Sequence, residues 1–138
     1  MSTLITGGES FVASGTILPA SFVKLDTAIG KDNQVLACVV GDQPYAVSQN
    51  YANAPTIDGL AVPPAATISQ PVLGYVRGVE CLLTIGVGGC IAGDLLKPDI
   101  NGAGITTILT GDKYGAIARR AGLAGDKILV KVDPGVIR

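Results

Sequence analysis

The sequence has no histidine and no tryptophan, and only two phenylalanines and four tyrosines. Without histidine, the Ser-His-Asp and Cys-His nucleophilic arrangements cannot be assembled from this chain, and neither can the Cys/His zinc sets. The commonest general acid/base side chain is missing with it. Carboxylates remain. Glu9 and Glu80 are the only glutamates, and the aspartates sit mostly beside glycine, as in Gly41-Asp42, Gly93-Asp94, Gly111-Asp112 and Gly125-Asp126. Glycine supplies positive φ and aspartate bonds nearby amides, so these dipeptides read as turns rather than as catalytic pairs. No G-x-x-x-x-G-K-[ST] phosphate loop occurs. Gly86-Val87-Gly88-Gly89 fails the dinucleotide pattern because Ile91 stands where the third glycine is needed. Asp94, Asp99 and Asn101 lack calcium-loop spacing and a closing glutamate. Neither enzymatic activity nor a metal or other cofactor is expected.

Charge is scarce as well. Charged residues are 15% of the chain, against roughly 25% in a typical soluble domain. The net charge of −1 offers no field for nucleic acid, and Arg119-Arg120 is the only adjacent basic pair. That pair reads either as a docking cation pair or as a solvated strand end. Hydrophobic residues reach 48%, nearly all Ala, Val, Leu and Ile. A small protein with so thin a charged coat is expected to bury part of its surface against other copies or in a larger assembly. Neither nucleic acid nor membrane is an expected partner. The longest uncharged run, Gly59 to Val76, holds Pro63, Pro64 and Pro71, and Cys81 to Gly93 is too short to span a bilayer. Met1 to Phe11 has no basic region followed by an apolar block, so no secretory signal is expected there.

Three cysteines, Cys38, Cys81 and Cys90, make an odd count without C-x-x-C spacing. They are expected to be reduced, buried small hydrophobes, as in a protein made in a reducing cytosol. Cys81 and Cys90 flank the Gly86–Gly89 turn, which makes them the pair most able to meet.

What is abundant is punctuation. Nineteen glycines and eight prolines cut the chain into short apolar runs, and no stretch of about twelve residues is cleanly amphipathic at helical period. The expected fold is all-β: one domain over residues 1–138, a small β-barrel or β-sandwich. Strands are expected at Gln34 to Val40, Pro44 to Ser48, Pro71 to Val76, Val79 to Ile85, Asp94 to Lys97, Ile105 to Leu109, Tyr114 to Arg119 and Lys127 to Val132. Arg77-Gly78 reads as a bend, Asn101-Gly102 as a turn, and Asp133-Pro134-Gly135 as the end of the last strand. Thr16 to Leu25, broken by Pro19, reads as an edge or arm segment. A turn of helix fits best over Ser48 to Ala54. Residues 1–22 read as an extended N-terminal arm, and residues 53–70, rich in proline, as a long excursion. Ala-Gly-Asp occurs twice, at Ala92-Gly93-Asp94 and Ala124-Gly125-Asp126, each time before an apolar run.

The second half carries a longer pattern: Gly78-Val79-Glu80-Cys81-Leu82, then Ile91-Ala92-Gly93-Asp94-Leu95-Leu96-Lys97-Pro98-Asp99, then Asn101-Gly102, Gly115-Ala116-Ile117-Ala118, and finally Ala124-Gly125-Asp126-Lys127-Ile128-Leu129-Val130-Lys131-Val132. Over residues 72–133 this resembles the small capsid decoration, or cement, proteins of tailed bacteriophages. The resemblance implies a β module on the outer surface of a phage head, made in the host cytoplasm and carried on the virion. Such a module would bind the major capsid protein as a homodimer or homotrimer and stabilise its lattice. It carries no catalytic residues over.

The residues expected to meet a partner are apolar groups on segments without a core of their own. These are Leu4, Ile5, Phe11 and Val12 on the arm, and Ile57, Leu60, Val62 and Ile68 on the excursion, joined by Arg119 and Arg120. Two other readings stand beside this one. A ligand- or carbohydrate-binding β module would use an aromatic platform, for which Tyr45, Tyr51, Tyr75 and Tyr114 are the main candidates. A small β-barrel enzyme would need paired aspartates in a cleft.

Overall fold

Alternation along Lys127-Ile128-Leu129-Val130-Lys131-Val132 puts Ile128, Val130 and Val132 on one face, and all three are buried. The same alternation runs through Pro71–Tyr75 and Glu80–Thr84, whereas Phe22-Val23 and Ala46–Ser48 bury consecutive residues. A computed structural model of the chain describes residues 8–49 and 66–138. The strands are β1 (Gly8–Ala13), β2 (Phe22–Leu25), β3 (Gln34–Ala37), β4 (Ala46–Ser48), β5 (Pro71–Tyr75), β6 (Glu80–Thr84), β7 (Leu95–Pro98), β8 (Gly104–Thr106), β9 (Lys113–Ala118) and β10 (Lys127–Val136). No helix occurs among the described residues, and the fold is all-β.

The first five strands close a barrel in the order β1-β3-β2-β4-β5. Parallel pairing of β1 with β3 and antiparallel pairing of β1 with β5 complete the ring. The other five form a sheet in the order β6-β10-β9-β7-β8, whose two edges meet at a parallel bridge between Ile85 and Gly104. The chain passes from barrel to sheet at Arg77-Gly78, where Gly78 takes φ of +90° and donates to the Val132 carbonyl at 2.7 Å.

Phe11, Ala13, Ile17, Val23, Val35, Ala46, Ala66 and Val72 fill the barrel. A second cluster joins Phe22, Cys38 and Val47 of the barrel half to Cys81, Leu83, Leu96, Ala116, Val130 and Val132 of the sheet. Phe22 holds this joint. A Cβ on Gly115 would come within 2.6 Å of its ring, so glycine there lets β9 lie directly against it. The three cysteines are free and buried. Burial pushes Cys38 and Cys81 up to about 12.

Several expectations are corrected. From Gly8 onward the supposed arm is β1, a barrel strand bonded on both sides, and residues 1–7 lie outside the described residues. Thr16 to Leu25 is no edge either, because β2 sits between β3 and β4. Pro19 precedes the strand and takes no ladder position from it. Asp133-Pro134 does not end β10. The strand absorbs both residues as a register shift between Val132 and Gly135 and runs on to Val136. Ser48 closes β4, while residues 50–65, which hold the rest of the expected helix and most of the excursion, lie outside the described residues.

Candidate functional site

The local signal that builds the candidate site is a tetrapeptide, apolar-x-Gly-Asp. It occurs four times: Val39-Val40-Gly41-Asp42, Ile91-Ala92-Gly93-Asp94, Leu109-Thr110-Gly111-Asp112 and Leu123-Ala124-Gly125-Asp126. In every copy the Asp N–H donates to the carbonyl of the first residue, at 3.0–3.2 Å, and the glycine takes φ between +89° and +93°. A positive φ at the third position alone defines a type II turn. In three copies the Asp carboxylate also accepts the N–H of the first residue, at 2.9 Å. Asp42, Asp94 and Asp126 are therefore turn locks, as their glycine neighbours imply. Asp112 departs from the pattern. Its carboxylate accepts from Lys97 Nζ at 2.8 Å and from the Thr107 hydroxyl, and these two bonds hold its pKa below the ordinary carboxylate range.

Two of these turns come together at one end of the second sheet. Cys90 and Gly122 exchange backbone hydrogen bonds at 2.9 and 3.0 Å, tying the loop after β6 to the loop before β10. The second loop is also held by Gly125 N–H to the Ile85 carbonyl, and Ile85 N–H to the Asp126 carbonyl. Thr106 braces the first loop by donating to the Gly89 carbonyl and the Asp94 carboxylate. On this rigid base stand Val87, Ile91 and Leu123, with exposures of 86%, 65% and 75%. The core beneath them is closed by Ile85, Cys90 and Ile128. Three large apolar side chains held in water by hydrogen-bonded turns serve nothing inside the molecule.

None of the expected contact residues is among these three, and those that are described lie on separate elements. Phe11 is 4% exposed and packs inside the barrel, so it is withdrawn as a partner-binding residue. Its place follows from β1, where Phe11 and Ala13 share the inward face. Val12 points the other way and is partly exposed, and Ile68 is exposed in the turn before β5. Leu4, Ile5, Ile57, Leu60 and Val62 lie outside the described residues. Arg119 and Arg120 enter the second of the two tip loops. Arg119 faces Glu80 at 3.4 Å with both side chains about half exposed, a pairing that contributes little. The Arg120 carbonyl accepts the Cys90 thiol. Val87, Ile91 and Leu123 were missed because single apolar residues in glycine-rich turns read as punctuation. For Ile91 and Leu123 the available signal was the recurrence of an apolar residue at the first turn position, where the turn itself does not require one; Val87, inside the Gly86–Gly89 turn, carried no such signal.

Among the described residues, no group of three His, Cys, Asp or Glu side chains is placed to hold a metal. No described helix is long and apolar enough to cross a membrane.

No family model matches the sequence, and no curated protein matches it. Its structure is similar to the crystal structure of the N base of head fiber gp8.5 of bacteriophage phi29. The TM-score is 0.62 at 13% identity, covering 95% of this chain and 97% of that one. At that identity the likeness establishes a shared fold along nearly the whole of both chains.

Proposed function

We propose that this chain is a structural protein of a bacteriophage head, docked on its outer surface through the Val87–Ile91–Leu123 tip. The observation that carries the reading is that Val87, Ile91 and Leu123 stand exposed on two loops tied together by the Cys90–Gly122 hydrogen bonds. The shared fold with a head fiber base supports the setting, and the decoration-protein pattern of residues 72–133 supports the finer reading. On that finer reading the partner is the major capsid protein and the effect is stabilisation of its lattice, with no chemical step. A protein that binds the assembled lattice and not its free subunits stabilises the assembled state by mass action. Copies joined as a dimer or trimer engage several capsid subunits at once and gain avidity through effective concentration.

Burying each tip side chain contributes about 1.5–3 kcal/mol before ordering costs are subtracted. The test is co-sedimentation of the purified protein with empty heads. The wild type is expected to bind, and the triple variant Val87→Ser, Ile91→Ser, Leu123→Ser to bind at least about a hundredfold more weakly, the loss of ~2.7 kcal/mol. Its circular dichroism and melting curve are expected to stay near the wild type's, since the three side chains lie outside the core. Undiminished binding by the folded triple variant would overturn the assignment of the tip.

A further inference from the structure

Where the two halves of the molecule meet, an open groove of roughly 560 Å³ runs between Glu9 of β1, the Gln43-Pro44-Tyr45 segment before β4, Val76-Arg77 of the crossover, and the β10 irregularity at Pro134-Gly135. Its size falls within the roughly 300–1,000 Å³ usual for ligand sites. Tyr45 is 38% exposed, and its ring is buttressed from behind by an edge-to-face contact with buried Phe11, with centroids 6.0 Å apart. An aromatic ring that is both exposed and fixed is a stacking platform that needs little ordering when a ligand arrives. Val76 and Pro134 extend the apolar wall beside it, above the buried Pro44.

The polar groups at the rim are committed on one side and open on the other. Arg77 Nη2 donates to the Pro134 carbonyl at 2.7 Å, which fixes the guanidinium and leaves its other N–H groups to donate. Gln43 Nε2 donates to the Tyr114 carbonyl at 3.3 Å, which leaves the amide oxygen as an acceptor. The Glu9 carboxylate and the Tyr45 hydroxyl have no hydrogen-bond or ion-pair partner among the described residues. A second groove of about 380 Å³ shares Gln43, Pro44 and Tyr45 and continues toward Lys24, Asp26 and Thr27, so the track extends past a single ring.

We infer that this track binds a neutral oligosaccharide carrying N-acetyl groups, with Tyr45 as its platform. The apolar face of a pyranose ring stacks on Tyr45. The acetamido group offers, in one place, a methyl for the proline and valine wall, an N–H for Glu9 or Gln43, and a carbonyl for Arg77. A polyanionic glycan is disfavoured by Glu9 and Asp26, and a polycationic one by Arg77 and Lys24. The inference is independent of the apolar tip, which lies at the far end of the sheet from Arg77.

The probe is tetra-N-acetylchitotetraose, titrated into the full-length protein and followed by amide chemical-shift changes. Maltotetraose is run in parallel as a neutral glycan without acetamido groups. Saturable shifts are expected to centre on Gln43, Tyr45 and Arg77. Tyr45→Ala is expected to weaken binding at least about tenfold, equal to ~1.4 kcal/mol. Tyr45→Phe keeps the platform and is expected to bind nearly as the wild type does. Arg77→Ala, at an exposed position outside the core, is expected to lose affinity with no change in melting temperature. No binding of chitotetraose at millimolar concentration would overturn the inference, and so would binding that Arg77→Ala and Tyr45→Ala both leave intact. Equal binding of maltotetraose would overturn the acetamido assignment.

Discussion

At the residue scale, the glycines of the tip separate two costs that are usually confounded. Gly125 takes φ of +91° with open space where a Cβ would go, whereas Gly89 takes φ of +66° and a Cβ there would lie 2.6 Å from the Gly122 carbonyl oxygen. Gly125→Ala carries only the backbone penalty, expected at about 1–2 kcal/mol. Gly89→Ala adds a clash with fixed backbone and must push the two tip loops apart. Chemical denaturation is expected to rank Gly89→Ala clearly below Gly125→Ala, and equal losses would mean that the Cys90–Gly122 bridge yields easily. Asp112 sets a second residue-scale prediction. Hydrogen bonds from Lys97 and then Thr107 lower its folded pKa below the ordinary 3.8. A lowered carboxylate pKa stabilises the fold fully above 3.8, and the contribution disappears as pH falls through the folded value. Asp112→Asn is therefore expected to melt below the wild type at neutral pH, with the gap closing in acid well below 3.8. A gap that persists there would point to lost packing instead.

Among elements, β1 decides how the N-terminal region is to be understood. It bonds to β3 on one side and β5 on the other, and it supplies Phe11 and Ala13 to the barrel core. Deleting residues 1–14 removes a central strand and opens the ring, so the variant is expected to lose the cooperative unfolding transition of the wild type. Phe11→Ala, which keeps the strand and removes the ring, is expected to cost about 3–5 kcal/mol. It also removes the buttress behind Tyr45. A folded deletion variant with near wild-type stability would show that β1 is dispensable and restore the reading of this segment as an arm.

For the whole molecule, the thin charged coat acquires a spatial meaning. Large apolar side chains are exposed on both halves, among them Val40, Ile100 and Ile108 besides the tip. Together with the thin charged coat, they offer apolar area to a second copy of the chain. Self-association is the expected consequence, as a dimer or trimer at micromolar concentration. Sedimentation equilibrium is the direct measurement, and a monomer across that range would leave the exposed groups to the head contact alone. Oligomer formation and head binding are separable, because the Val87, Ile91 and Leu123 triple variant removes the tip and leaves the remaining exposed groups in place.

The sequence by itself determined the class and most of the strands. Glycine and proline spacing excludes long helices, and period-two alternation in segments such as Lys127 to Val132 identifies one buried and one open face whatever the partner strand. It also determined the turns at Asn101-Gly102 and before β7 and β10, because positive φ and a side-chain acceptor are properties of Gly and Asp themselves. Only the tertiary structure decided which strands are central. The pairing of β1 with β3 and β5 is long-range, and nothing local distinguishes a barrel strand from an arm when each is a short apolar run. The same holds for both candidate sites. The loops that carry Val87, Ile91 and Leu123 are joined because Cys90 bonds Gly122 across more than thirty residues of chain. Tyr45 becomes a platform because Phe11, distant in sequence, packs behind it. Conformational preference is written residue by residue, whereas adjacency is settled by which apolar faces close over one another when the barrel and the sheet pack.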